Sequence, residues 1–403
     1  MTTLSAKNDI QAALQVIEAA LTFGINPSLE SMKAVCALLG NPQQQYTCIQ
    51  VGGTNGKSST SRYLAALLQS AGYSVGLYTS PELVFITDRI ELNGAAIDEE
   101  SFARAILLVH KTATEARISL TEFELITAAA LCIFAEQKVE YAVLEVGLGG
   151  RWDATTVVTP AVAVLTGVDL DHTAILGDTL AQIAAEKAAI IKQGAAVVVA
   201  PTDDEALAVF KAEAEKQQAR YIKVPPASEP EANSYQAQNK LTALTAASAL
   251  PVTKALTDIE AYQVMNATVI PGRLETVHTN PLVIIDAAHN PASARMLVEN
   301  FSLPNALLLL AVLADKDARG IIDALAPHFT EITVTQTSCP RAIPAPELAK
   351  LVEEQTGKTP RVFLTPQDAL QELLKQDKPV IATGSITLAA EVKKVLIELC
   401  GSQ

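Results

Sequence analysis

The chain has 403 residues, 49% of them apolar and 18% charged, and a formal net charge of −14. That length suits two or three domains, and the apolar share is ample for buried cores. The acidic balance argues against nucleic acid as a partner, because phosphate backbones are gripped by clustered Lys and Arg. The five cysteines, Cys36, Cys48, Cys132, Cys339 and Cys400, are scattered and form no Cys-x-x-Cys pair. They read as free thiols in a reducing compartment, against a disulfide frame or a structural zinc. The start, MTTLSAKNDIQAAL, is polar where a signal peptide needs an apolar core. No uncharged apolar run reaches the ~18–20 residues of a membrane span. The expectation is a cytoplasmic protein with no membrane partner.

Helical spacing of apolar residues predicts helices over Asp9 to Leu21 and Leu29 to Leu39, the second stopped by Gly40-Asn41-Pro42. A short strand, Thr47 to Val51, then runs into a glycine loop, followed by a helix, Ser58 to Ala71, and a strand, Ser74 to Thr79. Helices are expected over Phe102 to Arg117, Phe123 to Gln137 and Leu180 to Ile191. Buried strands are expected at Tyr141 to Val146, Ala161 to Thr166 and Ala195 to Val199, as short apolar runs between breakers. Pro225 to Ser234 reads as a surface loop and Tyr235 to Ala249 as a helix. After Pro271-Gly272-Arg273 a fresh alternation begins: strand Leu282 to Asp286, helix Ala292 to Asn300, strand Ala306 to Val312, then strands near Glu331 to Thr335 and Val380 to Thr383. Alternating strands and helices imply an α/β fold with mostly parallel sheets. The expected division is a larger α/β domain over 1–276 and a smaller Rossmann-like α/β domain over 277–403.

The loop VGGTNGKSST, Val51 to Thr60, carries chemistry. The general phosphate loop is Gly-x-x-x-x-Gly-Lys-[Ser/Thr]. Here Gly56, Lys57 and Ser58 fit, but Val51 occupies the leading glycine position. Backbone N–H groups of Thr54, Asn55, Gly56, Ser58 and Ser59 and the helix that follows offer positive ends to phosphate, and Lys57 reaches the terminal phosphates. Ser58 can place its hydroxyl on magnesium. An ordinary glycine turn is the bland alternative. ATP is the expected ligand, but kinases, ATPases and ligases all use such loops.

Glu145 ends the strand of YAVLEVGLGG, where a carboxylate beside a phosphate loop commonly holds magnesium; a solvent-facing Glu is the alternative. Asp169, Asp171 and His172 follow AVAVLT at another strand end, which faces the ligand crevice in doubly wound sheets. Glu186 and Lys187 stand inside an apolar helix, where a lysine usually snorkels to water.

These stretches stand in one order with LTFGINPSLE, ALLGNP, LYTSPEL, DRIELNG, LTEFELIT, LEVGLGGRWDAT, DHTAILGDT, EKAAIIK, PGRLE, IDAAHNP, ADKD, PRAIPAPEL and ATGS. Over nearly its whole length the chain resembles the folylpolyglutamate synthase/dihydrofolate synthase family of the Mur ligase superfamily. GTNGK is that superfamily's own phosphate loop, so Val51 is no defect. The resemblance implies a P-loop domain of the Mur ligase central type, followed by the smaller α/β domain. It implies a ligase: ATP converts a folate or dihydropteroate carboxylate to an acyl phosphate, and the amino group of L-glutamate displaces the phosphate; the alternatives are a Mur-type ligase for another carboxylate and a non-catalytic ATP-binding homologue. A closing two-domain site would exclude water from that intermediate.

By matching position, the resemblance puts Ser80 and Glu145 on one magnesium and His172 on a second. It makes Lys187 a carbamylated lysine that supports the metal and phosphate site. It puts Asn239 on adenine, Arg273 on the ATP phosphates, and Asp286 and His289 on ribose and phosphates. Lys316 and Ser385 fall on the glutamate or closure side. Bland alternatives are a linker charge for Arg273 and a helix cap for Asp286. A potassium ion is compatible with the resemblance but has no motif of its own here, and relatives usually act as monomers. Two departures stand out. Glu82 occupies the place of the family's usual His after Ser-Pro, and Ser58-Ser59 follows Lys57 where Gly-Ser is usual. Both bear on the substrate more than on the reaction.

Overall fold

The computed structural model describes residues 2–21, 27–227, 236–250, 256–300 and 303–400. The chain divides into two compact units, one built from Met1–Ser228 with Gln236–Thr268 and the other chiefly from Val269–Gln403. Residues 22–26 of the LTFGINPSLE stretch and residues 228–234 of the expected loop lie outside the described residues, as does Tyr235 at the expected helix start.

The first unit holds an eight-stranded sheet. Its strands are β1 (Thr47–Gly52), β2 (Val75–Tyr78), β3 (Ile90–Leu92), β4 (Ala95–Ala96), β5 (Tyr141–Glu145), β6 (Val162–Leu165), β7 (Ala196–Val199) and β8 (Arg220–Lys223). Their order is β4-β3-β2-β5-β1-β6-β7-β8. All neighbours are parallel except the β2–β3 and β3–β4 pairs. β1 is central, and its apolar residues are buried because both faces of a parallel sheet are covered by crossover helices. Tyr78, Phe102, Ile106, Leu131 and Phe134 anchor one core, and Leu165, Ile183, Ile190, Val197 and Phe210 anchor another.

The second unit holds six strands: β9 (Glu275–Thr279), β10 (Leu282–Ile285), β11 (Leu307–Leu310), β12 (Glu331–Val334), β13 (Arg361–Val362) and β14 (Val380–Thr383). Their order is β13-β12-β11-β14-β10-β9, and only β9 runs antiparallel to its neighbour. Its core is aliphatic, with Leu308, Leu310, Ile321, Leu325, Leu348 and Val352. The expected α/β class with mostly parallel sheets is what the chain forms.

The expected strands and helices recur within a few residues of their places. The edge elements went unread. β3 and β4 form a hairpin whose turn is Asn93-Gly94, both at positive φ. Asn-Gly is the strongest short hairpin signal, so it was available in the sequence. β8 and β13 carry exposed, polar or charged residues, so hydrophobic runs could not reveal them.

Candidate functional site

In the first unit, β1, β2, β5 and β6 are parallel, so their carboxyl ends share one edge of the sheet, where ligands bind in open α/β folds. The glycine loop leaves β1 there and enters the helix Lys57–Ser70. Two glycines are required. At Gly53 an added Cβ would lie 2.0 Å from Thr166 Oγ1. Gly56 has φ 82°, and its Cβ would lie 2.3 Å from Asn239 Oδ1. Asn239 is carried by the helix Ala237–Ala249 and also donates to Gln236 Oε1 at 2.8 Å.

Side-chain bonds hold the loop open. Thr166 Oγ1 donates to Asn55 O at 2.6 Å, Asn55 Nδ2 donates to Asp169 Oδ2 at 3.0 Å, and Thr54 Oγ1 accepts from Asp169 N at 3.1 Å. Lys57 Nζ donates to Thr54 O at 3.0 Å, which curls its ammonium over the loop. Ser59 is buried at the start of the helix.

Glu145 stands at the end of β5, 1% exposed. It accepts from Ser58 Oγ at 2.7 Å and from Ser80 N at 3.4 Å. Burial pushes its pKa up; Lys57 and the bonds from Ser58 and Ser80 pull against that. The loop hydroxyl, a strand-end carboxylate and the segment after β2 are therefore one constellation.

Lys187 lies beneath the loop. It is 4% exposed, on the helix Leu180–Ala188, and its Nζ donates to Gly53 O at 2.9 Å. It does not snorkel. Burial, helped by repulsion from Lys57, lowers its pKa to about 7, while Asp171, Asp153 and Asp169 raise it. Its neighbour Glu186 faces outward and pairs with Arg151 at 2.9 Å. His172 is at positive φ, with its side chain 45% exposed and Nε2 3.8 Å from Asp171 Oδ2.

The second unit holds the remaining expected residues. Asp286 is fully buried at the end of β10 and accepts from Leu274 N and Ala288 N, both at 2.9 Å. It thereby ties the PGRLE turn to the strand end. It does not cap the following helix, Pro291–Asn300; Asn290 does, accepting from Ser293 N at 2.8 Å. His289 Nδ1 bonds Ala287 O at 2.9 Å, and Arg273 Nη1 donates to Gly272 O at 3.1 Å. Ser385 is buried and accepts from Leu388 N at 3.2 Å, as a cap of the helix Ile386–Cys400. Lys316 is half-buried after β11, its N–H on Leu313 O at 3.1 Å.

Reading by motif passed over three buried groups. Asp153 accepts from Leu148 N, Thr155 N and Thr155 Oγ1, and burial raises its pKa. Gln50, on β1, donates to both Thr155 and Thr156 at 2.9 Å. Arg89 pairs with Glu82 and Glu122. Gln50, a polar residue inside the apolar run Cys48-Ile49-Gln50-Val51, carried a local signal; Asp153 and Arg89 stand among polar neighbours, Arg151 and Thr155 for one and Thr87 and Asp88 for the other, and carried none.

The hard-oxygen donor set at Glu145 fits magnesium, which takes one or two carboxylates and completes its shell with water and phosphate oxygens. Among the described residues no three His, Cys, Asp or Glu side chains converge on a metal position. A metal here would accordingly draw on Glu145, on Ser58 and Ser80 beside it, and on ligand oxygens.

Residues 51–269 match the Mur ligase middle domain, and residues 272–386 match the Mur ligase, glutamate ligase domain. The dihydrofolate synthase/folylpolyglutamate synthase of Bacillus subtilis strain 168 is 32% identical over 96% of this chain and 99% of its own length. The solved Mycobacterium tuberculosis folylpolyglutamate synthase, complexed with ADP and AMPPCP, is 30% identical and superimposes with a TM-score of 0.85 over 96% of this chain and 99% of that one. The bifunctional folylpolyglutamate synthase/dihydrofolate synthase of Yersinia pestis CO92, complexed with AMPPNP and a manganese ion, is 29% identical, with a TM-score of 0.85 over 96% of this chain and 98% of that one.

Proposed function

From the premise that the chain belongs to the folylpolyglutamate synthase/dihydrofolate synthase family of Mur ligases, we propose that it joins L-glutamate to the carboxylate of a folate or of dihydropteroate. ATP is the phosphoryl donor, and an acyl phosphate precedes the amide. The observation that carries this reading is the Ser58–Glu145 bond, which couples the phosphate loop to a buried strand-end carboxylate.

Lys57 leaves Thr54 O to meet the terminal phosphates, and the N–H groups from Thr54 to Ser59 cradle them. Ser58, Ser80 and Glu145 would hold magnesium, which would offset charge on the transferred phosphoryl group. His172, beside Asp171, is the candidate ligand of a second ion. Lys187 keeps much of its amine neutral near pH 7. A neutral amine adds to carbon dioxide, forming an N–C bond and releasing one proton, and the resulting carbamate anion suits a site for cations. Asn239, set against Gly56, is assigned to adenine. Arg273, Asp286 and His289 are assigned to the nucleotide, and Lys316 and Ser385 to the glutamate or closure side, on the resemblance. Asp286 and Ser385 also hold backbone in place. We place the enzyme in the cytoplasm as a monomer on the scattered thiols and the same resemblance. No helix among the described residues is long and apolar enough to cross a membrane.

The test is ADP release with ATP, magnesium and glutamate, comparing dihydropteroate, tetrahydrofolate and no folate. Release with dihydropteroate marks dihydrofolate synthesis, and release with tetrahydrofolate marks chain extension. Release with neither, while ATP still binds, sinks the folate assignment and leaves a Mur-type ligase for another carboxylate.

A further inference from the structure

Resting on that reading, we propose that Glu82 is a positioning residue. Through Arg89 it holds the segment Thr79–Glu82 so that Ser80 stays against the metal-binding carboxylate of Glu145.

β2 and β5 are paired, with Tyr78 beside Leu144, so the chain leaving β2 passes directly over the end of β5. It returns as β3, and the neck of this excursion is closed by Thr79 N donating to Arg89 O at 2.9 Å. Within it, Ser80 N reaches Glu145 Oε2 at 3.4 Å, a long bond that does little to fix the segment by itself. The second tie is the Glu82 carboxylate, which accepts from Arg89 Nε at 2.5 Å. Arg89 is itself buried and paired: its side chain is 10% exposed, and its Nη1 lies 2.8 Å from Glu122 Oε1 at the start of the helix Glu122–Glu136. The far half of the excursion looks after itself, since Asp88 Oδ2 accepts from Val84 N and Phe85 N. The near half is held chiefly by Arg89, through its carbonyl at Thr79 and its guanidinium at Glu82, with a long bond of 3.4 Å from Arg62 Nη2 to Thr79 Oγ1 beside it. Ser80 lies between those two points.

A plainly structural alternative exists: two carboxylates compensate one buried guanidinium, and either could be removed with the same result. Glu122 separates the two ideas, because it pairs with Arg89 from the helix side and takes no part in the Thr79–Glu82 segment.

The test measures binding of Mn2+, by electron paramagnetic resonance, to the full chain with a non-hydrolysable ATP analogue. Melting temperatures are recorded alongside. Groups that orient metal ligands typically change metal affinity about 10–100-fold when removed, so Glu82→Ala is expected to bind Mn2+ about tenfold more weakly. Glu82→Gln, which keeps an acceptor for Arg89 Nε, recovers most of that affinity. Glu122→Ala lowers the melting temperature and leaves Mn2+ affinity at the wild-type value. Wild-type affinity in Glu82→Ala, or equal weakening in Glu82→Ala and Glu122→Ala, overturns the proposal. Should Glu82→Ala fail to fold, Glu82→Asp, one methylene short of Arg89, is read in its place with the same expectation. Absence of Mn2+ binding in the wild type is a separate result: it overturns the ligase site itself and the positioning role with it.

Discussion

Lys187 and Gly56 show how single residues carry this site. Lys187 has a pKa of about 7, below the ordinary 10.5, so the folded state sheds a proton that the unfolded chain keeps. Its burial therefore penalises folding fully below pH 7, and the penalty fades as pH rises toward 10.5. Relative to Lys187→Met, the wild type should gain about 2 kcal/mol between pH 7 and 9, seen as converging urea midpoints in bicarbonate-free buffer. Parallel midpoints would mean the amine is not held neutral. Lys187→Ala should nearly abolish ADP release, and undiminished turnover would remove the carbamate role. At Gly56, Ala meets both a positive φ and Asn239 Oδ1. Gly56→Ala should cost roughly 1–3 kcal/mol in urea unfolding and abolish retention of an ATP analogue. A variant that binds nucleotide normally would show that the loop has room to spare.

At the scale of elements, caps and strand ends place the chemistry. The helix bearing Lys187 begins with a capping box, Thr179 and Gln182, whose side chains bond each other's backbone N–H. Thr179→Ala should lower stability by about 1 kcal/mol, measured by chemical denaturation, with a matching loss of activity if the helix end sets the height of Lys187. Helix Glu122–Glu136 carries the same device in Thr121 and Glu124. The helices themselves were legible because their signals are local: apolar residues at a fixed period, and glycines between a strand and a helix; the capping boxes went unread although each spans only three residues. Glu145, Lys57 and Ser58 were legible as candidates for the same reason. Their bonds were not, because Ser58 and Glu145 are 87 positions apart. Glu82 is the clearer case. As a letter it was only a departure from the family's usual His, and its partner Arg89 became visible once the chain between β2 and β3 was folded back.

For the molecule as a whole, each unit has its own sheet and its own apolar core. A fragment spanning Val269–Gln403 should fold alone and unfold in one cooperative urea transition, since a domain of this size with a private core is self-sufficient. A broad transition with bound hydrophobic dye would show that it leans on the first unit. The sequence by itself determined the α/β class, the phosphate loop and the family, because periodicity and motif spacing act over a few residues and survive without coordinates. Tertiary structure alone decided that Lys187 is buried against Gly53 O, that Asp286 braces Leu274 and Ala288 while Asn290 caps the helix, and that Arg89 joins Glu82 to Glu122. Desolvation and hydrogen bonding between distant residues depend on which neighbours arrive, and only the packed chain specifies those.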